Sequence, residues 1–585
     1  MAGNVLELQQ MLSRERDGMA EQIANTWQNW NSQRQPWLAQ ATETRNYVFA
    51  TDTTTTTNSS LPWKNKTTLP KLCQIRDNLH SNYISALFPN ERWLKWEGRT
   101  LQDEQKRDAI QQYMENKVKE SDFRNVMSQL LMDYIDYGNC FATVEYVKEV
   151  THDAESGSTV DTYFGPRPVR IDPKDIVFNP VARDFAHSPK IIRSVLNEGE
   201  LLQMQEDQPE NASLASAIAR RQEFRRGLGT YTREDCEKAV GFSMDGFGNL
   251  YDYFMSPTVE VLTFYGDYHD TQSRTFKRNM KITIIDRMFV AEEKENDSWF
   301  AQAPIYHCGW RIRQDNLYAM GPLDNLVGMQ YRIDHLENLK SDVFDLIAFP
   351  PMKVKGDVEE FVWGPMEQIY INGDGDVEMM APNTQALQAD MQIQILEAKM
   401  EEFAGAPREA MGIRTPGEKT AFEVQQLQNA AGRIFQEKII NFEIMLMEKV
   451  LNAMLEISRR NLDVADTIRV FDTDDKVATF MNISKQDITA KGRLRPIGAR
   501  HFSEQAQVIQ SLTGIANTPI WQDVKPHVST ENLAKMLENN LNLGGWDIFK
   551  PNVAVAEAQA TSQLVNQSQA MIDEEAAVPL QGEEE

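Results

Sequence analysis

Residues 321–349 read GPLDNLVGMQYRIDHLENLKSDVFDLIAF and run straight into Pro350-Pro351. Leu326, Met329, Ile333, Leu336, Val343 and Ile347 follow the three–four alternation of an apolar helix seam, which Lys340 interrupts. Asp324, Arg332, Asp334, Glu337, Asp342 and Asp345 fall on other faces. The pattern predicts a helix of roughly 40 Å, either a stem packed against copies of itself or an ordinary amphipathic core helix. The two prolines stop it, because neither offers an N–H and each restrains the residue before it.

Downstream, residues 352–354, 368–371 and 377–380 read as short strands, separated by the turn formers Gly356-Asp357, Gly364-Pro365 and Asn372-Gly373. The acidic run from Asn372 to Asp376 starts like a calcium loop, but Val377 stands where Gly is needed and Asn383 where Glu is needed. A hairpin turn is read there instead. A second helix is expected over 383–403, a Pro/Gly-broken loop over 404–417, and a long third helix from 418 to 460. That last helix would reach roughly 60 Å, against a usual length of about 11–12 residues. It therefore has to be packed along most of its course.

Gly412 to Thr420 nearly matches the phosphate-binding loop G-x-x-x-x-G-K-[ST], but Glu418 is inserted before Lys419. A carboxylate then faces the place where N–H groups should meet a phosphate. Helix initiation accounts for every residue: Thr415 as N-cap, Pro416 at the first helical position, Glu418 as the capping-box partner.

A helix, a small β excursion and a returning helix, followed by a loop and a very long helix, resemble the portal proteins of tailed bacteriophages, the head-to-tail connectors of short-tailed phages in particular. The matching stretches are 322–349 (first stem helix), 350–382 (clip), 383–403 (second stem helix), 404–417 (tunnel loop) and 418–460 (wing helix). Asp136-Tyr137-Gly138-Asn139, Arg170-Ile171-Asp172-Pro173 and Val177-Phe178-Asn179-Pro180 also look like the wing of that family. The resemblance implies an α+β fold. Residues 1–320 would form the N-terminal arm and an antiparallel-sheet wing, with 321–349 as the first stem helix. Residues 418–500 would complete the wing, and 501–585 would form a helical crown with an acidic tail.

It further implies a homo-oligomeric ring, of twelve subunits in that family, at one capsid vertex of the virion, assembled in the host cytoplasm. The ring would be a conduit for double-stranded DNA in packaging and ejection. It would dock terminase and then a tail adaptor, and meet capsid and scaffold proteins. Arg408, Arg414 and Lys419 would be the DNA-facing cations of the tunnel loop. Lys353, Lys355, Trp363 and Tyr370 would serve clip docking, and the seam from Leu326 to Ile347 would pack stem against stem. A tail-tube or adaptor ring protein is the structural alternative, and a nucleotide-hydrolysing motor subunit using Gly412 to Thr420 is the enzymatic one.

Composition bounds these readings. A chain of 585 residues suits about four domains of ~150 residues. Lys and Arg number 60 against 86 Asp and Glu, a formal charge of −26. Such a protein repels DNA at long range, which opposes a general DNA-gripping role and suits a conduit that must not hold what passes through it. Cys73, Cys140, Cys236 and Cys308 are widely spaced and read as isolated thiols, neither disulfides nor a zinc site. The eight His form no metal spacing, and G-x-S-x-G is missing, so neither catalysis, a metal nor a cofactor is expected. No signal peptide is read at Met1-Ala2-Gly3-Asn4 and no stretch approaches a membrane span.

Along the rest of the chain, Leu6, Met11, Met19, Ile23, Trp27, Trp30 and Trp37 mark a helix over 5–46, docked on its own body or on a neighbour. Thr53 to Ser60 reads as a loop or extended arm. Residues 69–87 and most of 103–137 read as helix, 93–96 as a short strand, and 140–150, 159–164 and 169–178 as a strand meander. Helix is expected over 196–226, strands over 259–267, 280–286, 288–291, 467–471 and 476–480, and helices over 504–512 and 530–541. The basic patch from Lys491 to Arg500 reads as a turn with exposed cations, or as a contact to DNA or an acidic neighbour.

Overall fold

The computed structural model describes residues 16–61, 64–88, 93–152, 159–228, 253, 256–270, 274–300, 302–356, 373, 375–380, 384–404, 436–462, 466–471 and 478–496. The chain divides into two units, one of residues 1–88, 94–468 and 481–499, the other of 89–93, 469–480 and 500–585. All sites below belong to the first. In order, its elements begin with α1 (Gly18–Val48), α2 (Lys71–Leu87), β1 (Leu94–Gly98), α3 (Leu101–Gln105), α4 (Arg107–Glu120) and α5 (Phe123–Asp136). Strands β2 (Asn139–His152), β3 (Thr159–Ile171), β4 (Ile176–Phe178) and β5 (Lys190–Asn197) precede α6 (Glu198–Asp207) and α7 (Ala212–Leu228). Next come β6 (Thr258–His269), β7 (Phe276–Ile285), β8 (Phe289–Glu295), β9 (Ile305–Gly309), α8 (Val327–Ala348), β10 (Met352–Lys355), β11 (Asp376–Met379) and α9 (Ala389–Phe403). The series ends with α10 (Glu448–Asn461), β12 (Asp466–Phe471), β13 (Ala478–Ile483), α11 (Lys485–Ile488) and β14 (Gly492–Pro496).

The fold is α+β, and the strand pairs of its two larger sheets and of the ladders β1-β14 and β10-β11 are antiparallel. One sheet has the order β3-β2-β9 and another β4-β5-β6-β7-β8, with two-stranded ladders β1-β14, β10-β11 and β12-β13. The five-stranded sheet is covered on both faces, which explains the near-continuous apolar run of β6. Ala20, Ile23 and Trp27 of α1 pack on Val177, Ile191, Leu262, Ile282 and Ile284. Leu201, Leu214, Ile218 and Phe224 of α6 and α7 pack on Val261, Ile285 and Phe289. Each such fully buried aliphatic or Phe side chain stabilises by about 1.5–3 kcal/mol. The Trp-bearing N-terminal helix thus lies on its own body. Arg34 fixes it by donating to the carbonyls of Pro173 at 3.0 Å and Ile176 at 2.7 Å.

A buried ion network pins the turn from β7 to β8. Asp286 and Arg287 both take left-handed backbone, with φ 53° and 57°, a conformation unfavourable for these residues. Their side chains hold it. Arg287 donates to Glu260 at 2.7 and 2.9 Å, Arg193 donates to the same carboxylate at 2.7 Å, and Arg221 donates to Asp286 at 2.7 Å. Tyr253 also donates to Asp286 and accepts the Glu260 N–H at 2.7 Å.

Several sequence expectations are corrected. β3 is one strand through Pro166 and Pro168, tolerated because it lies at the sheet edge. Residues 190–197 form strand β5 where helix was expected from 196, and β9 carried no expectation. The patch at 491–496 is not a turn but strand β14, paired with β1. Thr53–Thr55 and Thr57–Ser60 are tight 3-10 turns with Thr53, Thr56 and Asn58 buried, so this stretch is no free arm. Among the described residues, no helix is long and apolar enough to cross a membrane.

Candidate functional site

Helix α8 begins at Val327, later than residue 321, because the preceding residues fix its foot. Gly138 has φ +67°, and a Cβ there would stand 2.3 Å from the Gly321 nitrogen, an approach only glycine permits. Asp324 accepts from the Gly321 N–H at 2.8 Å and from Thr44 at 3.1 Å, and burial holds its carboxyl above the usual range. The neighbours of Gly138 complete the joint. Asp136 takes the Arg76 guanidinium at 2.6 and 2.9 Å, and the Asn139 amide donates to the carbonyls of Tyr137 and Ala319.

One stripe of α8 is polar and yet buried. Gln330, Asp334, Asn338 and Asp342 stand four residues apart and share one face, and the first three are buried. Residues 64–72 run along them as a strap. The N–H groups of Asn65, Thr67, Leu69 and Leu72 donate to Asp342 (3.0 Å), Asn338 (2.8 Å), Asp334 (3.1 Å) and Gln330 (3.3 Å). The amides of Asn338 and Gln330 return to the carbonyls of Thr67 (2.6 Å) and Leu69 (2.5 Å). Burial raises the Asp334 carboxyl although Thr68 and two other donors face it.

Helix α9 returns antiparallel to α8. At the start of α9 Asp390 accepts from Lys340 at 2.9 Å, and near its end Glu401 meets Lys71 at 2.5 Å beside the foot of α8. The Lys71 pair is buried, whereas Asp390 is 66 % exposed. Beyond the Lys340 level the covering of α8 runs out. Leu326, Ile333, Leu336 and Val343 are buried, but Phe344 is 54 %, Ile347 43 % and Phe349 72 % exposed. Leu339, Leu346, Met391 and Ile395 are exposed beside them. Exposed apolar side chains are thus concentrated at this end of the helix pair.

The ladder β10-β11 joins the two helices. Lys353 lies opposite Glu378, at 3.7 Å, and Lys355 opposite Asp376. Val354, Met379 and Met380 are exposed. A two-stranded ladder is marginal in water by itself, and among the described residues no third strand pairs with it.

These positions bear directly on the residues singled out from sequence. Leu326, Ile333, Leu336 and Val343 are covered within the chain by α9, α2, α1 and the 57–60 turn, so they are not an uncovered seam. Met329 is half-buried and Ile347 belongs to the open part. Lys353 and Lys355 are exposed on β10. Arg408, Arg414, Lys419, Trp363 and Tyr370, the loop 404–417 beyond residue 404, and the helices expected over 504–512 and 530–541 lie outside the described residues. The long helix is described from 436, and it contains a π turn at Glu443–Met447 before α10. Of the polar stripe of α8, the sequence reading placed Asp334 and Asp342 off the apolar seam and gave no role to Gln330 or Asn338. The stripe's four-residue spacing is the signal that could have revealed the strap. Among the described residues, no group of three metal-ligating side chains comes together. No family model matches the chain, and no curated protein matches it.

Proposed function

We propose that this chain is the subunit of a phage portal ring, with α8 and α9 as its stem, β10-β11 in its clip and the two larger sheets in its wing. One observation carries the reading. The antiparallel helix pair is held by the strap along α8 as far as Asp342 and at its foot by the Lys71–Glu401 pair, while its far end and the two-stranded ladder beyond it expose apolar side chains. In a closed ring a different face of the next copy covers those groups, and because the rotation closes there is no open-ended growth. The ring passes double-stranded DNA through its centre in packaging and ejection. The clip end receives the packaging motor and later the tail adaptor, at one vertex of the capsid. No step in this role is chemical. The subunit positions, seals and guides, and its negative charge keeps the duplex from being held.

The native mass of the full chain, with negative-stain images of the same fraction, tests this. A closed ring with a central hole is expected. Replacing Phe344, Ile347 and Phe349 together by Ser should abolish the ring and leave the monomer folded. A chain that stays monomeric at high concentration, or a variant that assembles as well as the parent, overturns the proposal.

A further inference from the structure

A second surface lies on the ladder β1-β14, built from two stretches far apart in the chain. Lys95 is opposite Arg495 and Glu97 opposite Arg493. The inner face of the ladder is closed: Leu94, Trp96, Leu494 and Pro496 are buried, and Arg459 lies 5.4 Å beneath the Trp96 ring. A Cβ at Gly492 would stand 2.4 Å from that ring, so glycine lets β14 lie flat on it. The strand alternation therefore turns Lys95, Glu97, Arg493 and Arg495 outward. Arg99 and Lys491 extend this face, their backbones joined by a 2.9 Å hydrogen bond. Five cations stand on this face with Glu97, which takes Arg495 at 3.1 Å, while at its edge Asp103 accepts the Lys491 N–H at 2.8 Å and Glu104 the Gly98 N–H at 2.9 Å. Glu448, beneath the face, takes Arg493 at 3.5 Å. Arg493 stays 62 % exposed.

We infer that this face contacts the phosphate backbone of duplex DNA without reading its sequence. The outward face of the ladder carries no apolar side chain, whereas a protein partner is ordinarily gripped through an apolar core. Phosphate recognition needs none: it needs exposed cations, Arg above all, whose planar forks match phosphate oxygens. A chain of −26 repels DNA at a distance, so binding here is local, weak and steeply salt-dependent. The inference rests on the portal reading for the duplex as partner, and it adds a contact separate from the tunnel-loop cations.

The test is fluorescence anisotropy of a labelled mixed-sequence duplex with the full chain, across a salt series. The parent is compared with a Lys95→Gln, Arg99→Gln, Arg493→Gln variant and with Arg408→Ala, Arg414→Ala. The first variant should bind roughly tenfold or more weakly, and its log-affinity against log-salt slope should fall by about 2.7, near 0.9 for each lost phosphate contact. Thermal melting of both variants should match the parent. Equal affinity and slope in the first variant, no binding by the parent, or preferential binding of polyglutamate over duplex overturns the inference, the last by giving the face to an acidic protein. Native mass on the same samples reports separately on the ring. A ring indifferent to duplex sinks the patch alone, and a monomer that binds through these cations sinks the ring alone.

Discussion

Helices α8 and α10 carry similar apolar spacing, and the molecule treats them in opposite ways. Val450, Leu451, Met454 and Leu455 of α10 are buried, and so are its charged ends: Glu448 meets Arg493 and Glu456 accepts the Trp299 N–H at 2.9 Å. Helix α10 is finished within its own chain. Helix α8 is finished only as far as Val343, beyond which its turns are apolar and open. Equal periodicity therefore does not mean equal burial. What differs is whether the same chain supplies a second layer. The sheets and α10 bury their apolar faces within the chain, while the far end of α8, α9 and the ladder between them leave apolar side chains exposed.

The sharpest way to break this comparison is to damage the part that is buried within the chain. Glu260→Ala leaves Arg193 and Arg287 without their shared buried carboxylate and removes what holds the left-handed turn at Asp286-Arg287. Removal of one partner from a buried pair costs about 3–5 kcal/mol, and denaturant unfolding should show a loss of that size. A loss no greater than that of the Phe344, Ile347, Phe349 triple variant, expected within about 0.5 kcal/mol for exposed positions, would erase the distinction.

The strap is next, because it anchors the open part to the closed one. Asn338→Ala strands the N–H and C=O of Thr67 at a half-buried place. A stability loss of about 2–3 kcal/mol is expected, with faster amide exchange at Thr67 and Leu69. Exchange unchanged at those two amides would show that the strap does not depend on the stripe.

This contrast also explains what was legible in the sequence. The strands at 259–267 and 280–286 and the helix end at Phe403 were readable because apolar periodicity and turn formers are local signals. Strand β14 was not, since Gly492 and Pro496 advertise a turn and the partner that makes it a strand sits at Leu94–Gly98. The burial of Gln330, Asp334 and Asn338 was not legible either, because their partners are largely backbone groups of 64–72, which carry no side-chain pattern. Of the candidate site, the helix–ladder–helix order and the exposed Lys353 and Lys355 were legible. The place along α8 where burial stops was not, for it depends on how far α9 and the strap reach.

The closed body should also be the part that senses acid. His307 is buried against Phe141 with ring centroids 4.7 Å apart, and burial, aided by Lys449 and Lys190, lowers its pKa to about 3. Because the Asn139 amide nitrogen is committed to two carbonyls, its oxygen accepts from the His307 Nε2–H at 3.0 Å, and the ring is neutral. A folded pKa below the unfolded value of about 6.5 means that the unfolded chain binds the proton first. Stability is therefore full above pH 6.5 and falls as pH drops toward 3, by about 2 kcal/mol between pH 6.5 and 4.5. Unfolding of the parent and of His307→Gln at both pH values measures this, and the variant should lose about 2 kcal/mol less over that interval. Equal losses would mean that His307 is protonated in the folded protein.

The smallest expected effect separates the two ends of the α8–α9 pair. Lys71–Glu401 and Lys340–Asp390 both tie into α9, one buried at the foot and the other open to solvent near the ladder. Screening and side-chain entropy leave an exposed pair about 0–1 kcal/mol. A double-mutant cycle with Lys340→Gln and Asp390→Asn on the monomer should therefore return a coupling below about 1 kcal/mol. The same cycle on the assembled protein is the informative comparison. If a neighbouring copy covers Phe344 and Ile347, Lys340 and Asp390 lose water as well, and their coupling must grow, because charges interact more strongly as the surrounding dielectric falls. A coupling that is the same in both states would place the Lys340 end of the pair outside the interface, whatever the size of the ring.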